Sequence, residues 1–240
     1  AKVFRDYNTL DPPVLLSDAQ REHPDATFGR GIAVRNVRGV ETSEAEARVR
    51  ICYDGRKGQQ RYGRGGVVDA AVEFAELLSQ RKSPAPLALS KLVQTWGAGH
   101  GVEVDGFDVE GAYLTTRFKE GEIHYITLTP ELERAVLRVM GWSRPAGSGP
   151  ICFRLRGGLY GIVIGGEMWA SEVSSYIKEI GWELVEADES EETLFVHRSS
   201  EGGEVDGVLS FYVDDGTIAA ASEVLQEFRE HMGRKYKFKH

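Results

Sequence analysis

Apolar and polar positions alternate along residues 27–38 (Ile32, Val34, Val37) and again along 47–53 (Val49, Ile51, Tyr53), with a short link containing Gly39 between them. A period of two broken by a glycine link predicts an antiparallel hairpin. Helical spacing follows. Val67 to Gln80 places Val68, Ala71, Val72, Ala75 and Leu78 on one face, and Ala85 to Trp96 does so with Leu87, Leu89, Leu92, Val93 and Trp96. Pro84 and Pro86 mark the boundary between these helices. The run Gly97-Ala98-Gly99-His100-Gly101 reads as a break, a hinge rather than a phosphate cradle.

Later segments alternate between the two periods. Strands are expected at 102–109, 151–156, 182–186, 193–198, 208–213, 217–221 and 236–238. Helices are expected at 130–140, with Thr129 as N-cap and Pro130 at the first position, at 168–180 with Gly181 as the stop, and at 222–233 with Ser222 as N-cap. Val224, Leu225, Phe228 and Met232 form the apolar side of the last helix. Asp214-Asp215-Gly216 joins the strands at 208–213 and 217–221 as a hairpin turn. Residues 142–150 form a loop, and 54–66 a basic, glycine-rich one. Pro12, Pro13 and Pro24 make residues 1–25 an extended arm with one helical turn near 17–22. Hairpins mixed with helices predict an α+β fold.

Composition narrows the class. At 240 residues with 41% hydrophobic and 28% charged positions, the chain can bury one large core or two small ones. No apolar run reaches the roughly eighteen residues a membrane helix needs, and no signal peptide is visible. A chain that starts at Ala1 reads as a trimmed fragment of something larger. The two cysteines, Cys52 and Cys152, exclude a disulfide scaffold and a cysteine-rich zinc site. Both lie in apolar runs, read as buried thiols in an intracellular, reducing compartment. The six histidines have no metal-ligand spacing, and no dinucleotide or Walker fingerprint is present. Net charge is −8 and unevenly spread: +3 over residues 1–65, −1 over 66–157 and −10 over 158–240. An acidic chain argues against general nucleic-acid binding, while an acidic end can concentrate metal ions.

Chemistry gathers at carboxylates. Phe211-Tyr212-Val213-Asp214-Asp215-Gly216 puts adjacent acids on an apolar hairpin, where each disfavours ionisation of the other and a divalent cation relieves both. Asp108 ends a separate apolar strand, with Asp105 and Glu110 as nearby alternatives. A third carboxylate from that strand completes a hard-oxygen site suited to Mg²⁺, with Mn²⁺ as a substitute.

Four motifs in order resemble copia-type retrotransposon reverse transcriptases. They are Phe107-Asp108-Val109-Glu110-Gly111-Ala112-Tyr113-Leu114; Leu159-Tyr160-Gly161 followed by Trp169; Gly181-Trp182 with Ala187-Asp188 and Leu194-Phe195-Val196; and Tyr212-Val213-Asp214-Asp215. Arg48-Val49-Arg50 sits where that family has a fingers hairpin, and order and spacing agree from about residue 45 onward. The resemblance implies right-hand polymerase fingers and palm, the palm an antiparallel sheet backed by helices. It divides the chain into an N-terminal arm and fingers (1–104), a palm strand (105–118), a fingers return (119–156) and a palm with the Tyr-Val-Asp-Asp hairpin (157–240). Thumb and RNase H regions would lie elsewhere in a polyprotein.

By position, the resemblance implies Asp108, Asp214 and Asp215 as catalytic carboxylates, Asp108 and Asp214 as direct metal ligands and Asp215 as more peripheral. The Val109 carbonyl would complete the metal shell. Tyr113 would sit beneath the incoming sugar and exclude a 2′-hydroxyl. Arg48 and Arg50 would reach the triphosphate, with Gly161 also on the nucleotide side. Arg56, Lys57, Tyr160 and Tyr212 would face template and primer. The implied activity is RNA-directed DNA polymerisation by nucleotidyl transfer, with an RNA or DNA template, a DNA primer and deoxynucleotides as partners. A cytoplasmic particle and the nucleus both suit that activity.

The chain also departs from the family. Where the family continues Leu-Tyr-Gly-Leu-Lys-Gln-Ala-Pro-Arg, this sequence has Ile162-Val163-Ile164-Gly165-Gly166-Glu167 after Gly161, and the fingers read Glu46-Ala47-Arg48 in place of Lys-Ala-Arg. Lost positive charge weakens phosphate attraction. It supports an alternative, a repurposed polymerase domain that binds nucleic acid or a protein without efficient chemistry. A metal-dependent nuclease would share the carboxylates and leave Tyr113 unexplained.

Overall fold

The alternating segments at 27–38 and 47–53 pair as expected in a computed structural model. It describes residues 2–38, 46–54, 60–63, 66–69, 87–162, 164–185, 194–199 and 203–240. Strand β2 (Thr27–Arg38) runs antiparallel to β3 (Glu46–Tyr53), from Gly31 opposite Tyr53 to Arg38 opposite Glu46. The chain divides into two compact units, Ala1–Gln80 with Tyr113–Met168, and Arg81–Ala112 with Trp169–His240. Helices combine with two largely antiparallel sheets, one in each unit.

In the first unit the sheet order is β1 (Val14–Leu15), β8 (Ile151–Leu155), β7 (His124–Leu128), β2, β4 (Gln60–Gly63) and β5 (Gly66–Asp69), with β3 also on β2. The β2–β7 pair is parallel. Residues 1–25 are more than an extended arm. Helix α1 (Lys2–Asp6) buries Phe4, Leu10 bridges to Leu155, and α2 (Leu16–Glu22) buries Ala19. Phe4 and Leu10 join a core with Ile51, Leu114, Ile126, Phe153 and Leu159. Apolar burial here folds in a segment whose prolines suggested an extended arm. Cys152 is buried and its thiol is pushed up to about 12 by desolvation, as a core thiol should be. Cys52 is only half-buried, which corrects its reading as a core residue.

Two helical expectations are corrected. Residues 67–69, read as the start of a helix, belong to strand β5 paired with β4, and the rest of that expected helix (70–80) lies outside the described residues. Val67 and Val68 are β-branched and suit a strand as well as a helix. The expected break at 97–101 is instead the end of helix α3 (Leu87–His100), which stops at Gly101 with φ +67°. Gly97 is there for space: a Cβ would lie 2.5 Å from Val104 and 2.8 Å from Ala219.

The second unit holds the sheet β13 (Phe238–Lys239), β6 (Glu103–Val109), β12 (Asp215–Ala220), β11 (Val205–Tyr212), β10 (Leu194–Arg198) and β9 (Glu183–Leu184). Strand alternation sorts its residues into two faces. One carries Val104, Val208 and Ala219, against which α3 packs through Val93 and Gly97. Ser90 of α3 hydrogen-bonds Thr217 at 2.8 Å on the same face. The other carries Phe107, whose ring meets Phe228 of α7 (Ser222–Lys235) at 5.5 Å and Phe238 at 5.4 Å. Helix α7 starts at Ser222 as expected, with Ala221 rather than Ser222 as N-cap. Helix α6 spans Gly165–Glu179, three residues earlier at its start than its apolar pattern indicates. Two shorter helices, α4 (Ala112–Thr115) and α5 (Pro130–Met140), lie between β6 and β8 in the chain. Thr129 is the N-cap of α5 but its hydroxyl makes no capping bond.

Candidate functional site

The three aspartates meet at one end of the second unit's sheet. The β11–β12 register pairs Tyr212 with Asp215, so the turn is Val213-Asp214 rather than Asp214-Asp215-Gly216. Gly216 is inside the strand, and the reason is space: a Cβ there would lie 2.1 Å from the Phe107 ring. Asp215 pairs directly with Asp108 across β12 and β6. The Val109 N–H donates to the Asp214 carbonyl at 2.7 Å. That bond makes the Asp108/Asp215 pair a non-hydrogen-bonded one, the kind whose side chains lie closer. On its other side Asp108 pairs with Lys239 of β13. Tyr212, Asp215, Asp108 and Lys239 therefore form one row on one face of the sheet.

Like charges directly across a sheet destabilise it. Partial desolvation raises the Asp215 pKa above its ordinary value, and the charges of Asp214 and Asp108 push it the same way. Lys239 pairs with Glu110 at 3.1 Å. Asp105, an alternative to Asp108 from sequence, points to the opposite face and accepts from Arg229 at 2.7 Å. Arg229 also reaches Glu103 at 3.3 Å.

The turn itself is held from two sides. Of its two residues only Val213 has a positive φ, +56°. A β-branched side chain there costs about 1–3 kcal/mol and persists only when the surroundings enforce it. The indole Nε1–H of Trp169 donates to the Val213 carbonyl, and the Val109 N–H holds the next carbonyl. Neither Trp169 nor Lys239 is marked as a site residue by the sequence. Trp169 is visible there as the tryptophan that follows Leu159-Tyr160-Gly161, but its partner is not.

The donor set suits a hard divalent cation in chemistry, since all three groups are carboxylates. In geometry, no group of three or more histidine, cysteine, aspartate or glutamate side chains among the described residues is arranged to hold a metal ion.

The nucleotide-side candidates form a cluster within the first unit. The exposed Arg50 lies with its guanidinium 5.2 Å from the Tyr160 ring centre, and Tyr160 meets Tyr113 edge-on at 5.8 Å. The Tyr53 N–H donates to the Tyr160 carbonyl at 2.6 Å. Gly161 follows with φ +88°, and a Cβ there would lie 2.3 Å from the Tyr53 carbonyl oxygen. Only glycine allows this approach. Phe4, Val49, Arg50, Ile51, Leu114, Leu159 and Tyr160 line a small, mainly apolar cavity. Arg48 is on β3 two residues from Arg50, its side chain outside the described set, and Arg56 and Lys57 lie outside the described residues.

No family model and no curated protein matches the sequence. Among solved structures, the chain is similar to telomerase from Candida albicans in complex with the TWJ fragment of telomeric RNA, at TM-score 0.41 and 9% identity over 96% of this chain. It spans 43% of that chain's length. Among the described residues, no helix is long and apolar enough to cross a membrane.

Proposed function

We propose that the chain is the fingers–palm portion of a copia-type reverse transcriptase, an RNA-directed DNA polymerase that extends a DNA primer on an RNA or DNA template. The observation that carries the reading is the pairing of Asp108 with Asp215 beside Asp214 on the hairpin, within the motif order Asp108, Leu159-Tyr160-Gly161, Trp169, Tyr212-Val213-Asp214-Asp215. Asp108, Asp214 and the Val109 carbonyl would hold Mg²⁺ or Mn²⁺, with Asp215 beside them. The bound cation would supply charge neutralisation for the triphosphate and a lowered pKa for the primer 3′-hydroxyl.

The remaining roles belong to the chain's own side chains. Arg50, with Arg48, would pair with triphosphate oxygens, the bidentate chemistry a guanidinium suits. Tyr113 would bear on the sugar and select deoxynucleotides. Tyr160 and Gly161 shape the backbone beside Arg50. Tyr212, exposed next to Asp215, would meet the primer end. Arg56 and Lys57 would contact template phosphates. Thumb and RNase H regions of a longer polyprotein would complete the enzyme.

Single-nucleotide addition to an annealed RNA–DNA template-primer, with excess protein and Mg²⁺ or Mn²⁺, tests this reading. Addition by the wild type, lost in Asp214→Asn, is expected; addition retained in Asp214→Asn overturns the metal assignment. A second reading, a domain that binds nucleic acid or protein without efficient chemistry, is favoured by the altered residues 163–167, with Glu167 in place of a cation, and by the acidity of residues 158–240. Template-primer binding that is indifferent to nucleotide and metal, with no addition, would select it.

A further inference from the structure

We propose that Trp169 is a positioning residue for the acidic hairpin: its indole N–H, by holding the Val213 carbonyl, keeps Val213 in left-handed backbone and so sets where Asp214 and Asp215 point. Its functional sense rests on the polymerase reading above. Three observations converge on it. Val213 is a β-branched residue at φ +56° in a two-residue turn, a position that ordinarily takes glycine. Trp169 is buried, 1% exposed, and donates to that residue's carbonyl. Trp169 is itself fixed from behind: Tyr236 packs edge-on against it at 5.3 Å, Tyr176 packs on Tyr236 at 5.7 Å, and the Tyr176 hydroxyl donates to the His231 carbonyl at 2.9 Å. A chain of rigid aromatic groups thus runs from helix α7 through α6 to the hairpin.

The anchoring has a geometric consequence. Asp214 leaves the turn immediately after Val213, and its own carbonyl is fixed by the Val109 N–H. With both carbonyls held, the peptide planes on either side of Asp214 have little freedom. Releasing Val213 would let the turn relax toward a negative φ, which rotates the Asp214 side chain relative to Asp108. Trp169 touches neither nucleotide nor reacting atoms in this scheme, and acts only through the turn.

The test is a double-mutant cycle with Trp169→Phe, Val213→Gly and the pair, read first by thermal unfolding. Glycine tolerates the left-handed conformation without help, so the two changes should be coupled. Trp169→Phe is expected to lower the melting temperature in the wild type and to lower it by less than about half as much in the Val213→Gly background. Equal losses in both backgrounds would overturn the proposal and reduce Trp169 to packing. If Trp169→Phe alone fails to fold, the double variant is expected to fold; a double variant that stays unfolded overturns the proposal equally. In single-nucleotide addition, Trp169→Phe should lower kcat about tenfold with little change in nucleotide KM, and Val213→Gly should restore it. A wild type that adds no nucleotide would defeat the polymerase reading, and the thermal cycle would still decide the role of Trp169.

Discussion

The acidic hairpin of the second unit and the Arg50–Tyr160–Tyr113 cluster of the first differ in what their sequences retain of the resemblance. At the hairpin all three carboxylates are present and the backbone beneath them is pinned by Trp169 and Val109. At the cluster the backbone device is present, Gly161 beneath the Tyr53 carbonyl, while the cations expected in the segment after it are missing and Glu167 stands in their place. Scaffold and charge are therefore separable. A loop can hold its shape through glycine and hydrogen bonds while the side chains that attract phosphate change sign.

Three substitutions sharpen that contrast. Arg50→Ala should have the largest effect. A charge-assisted hydrogen bond is worth about 1.5–3 kcal/mol, so nucleotide KM should rise about ten- to a hundredfold with kcat less affected. Steady-state kinetics at saturating template-primer reads it; an unchanged KM would remove Arg50 from the triphosphate. Glu167→Arg should come next. It exchanges repulsion for attraction, so template-primer affinity should rise about tenfold at low salt, with the slope of log K on log salt steeper by about 1. An unchanged slope would mean that residue 167 does not meet phosphate.

Asp215→Asn should have the smallest effect, on stability. A carboxyl whose pKa is raised in the folded state binds its proton more tightly there than in the unfolded chain. Its contribution is fully present below the ordinary aspartate value and is lost as pH rises through the folded-state value. The raised Asp215 pKa, caused by desolvation and by Asp214 and Asp108, puts that loss in the acidic range above 3.8. Asp215→Asn should remove this pH slope and be about 0.2–1 kcal/mol more stable than wild type at neutral pH. Denaturant melts at acidic and neutral pH measure it; a variant less stable than wild type at neutral pH would contradict the like-charge account.

Period-two alternation makes the β2–β3 hairpin legible, because a strand with one buried face must alternate, whereas the β11–β12 pair is legible as two apolar runs joined by a turn signal, and consecutive residues of both strands are buried. The sequence pattern places the turn one residue late. Aspartate and glycine are ordinary turn residues, so Asp214-Asp215-Gly216 resembled a complete turn, whereas Gly216 answers to the Phe107 ring and Val213 takes the strained position. Gly97 misled in the same way: local propensity ends a helix there, and close packing on Val104 and Ala219 continues it. The carboxylates themselves were legible as residue types at motif spacing. Their pairing partner Lys239, the Arg229 bond that occupies Asp105, and the Trp169 anchor were not, since each depends on a strand or helix brought in by tertiary packing, from 131, 124 and 44 residues away in the chain.

The polymerase reading proposed above needs Asp108, Asp214 and Asp215 to serve one divalent-cation site. Mn²⁺ uptake tests it most directly, measured on a dideoxy-terminated template-primer with the next nucleotide present, for wild type, Asp108→Asn and Asp214→Asn. Wild type is expected to take up Mn²⁺ beyond what the nucleotide alone binds, and both variants are expected to lose this excess. Equal uptake by all three proteins would contradict it.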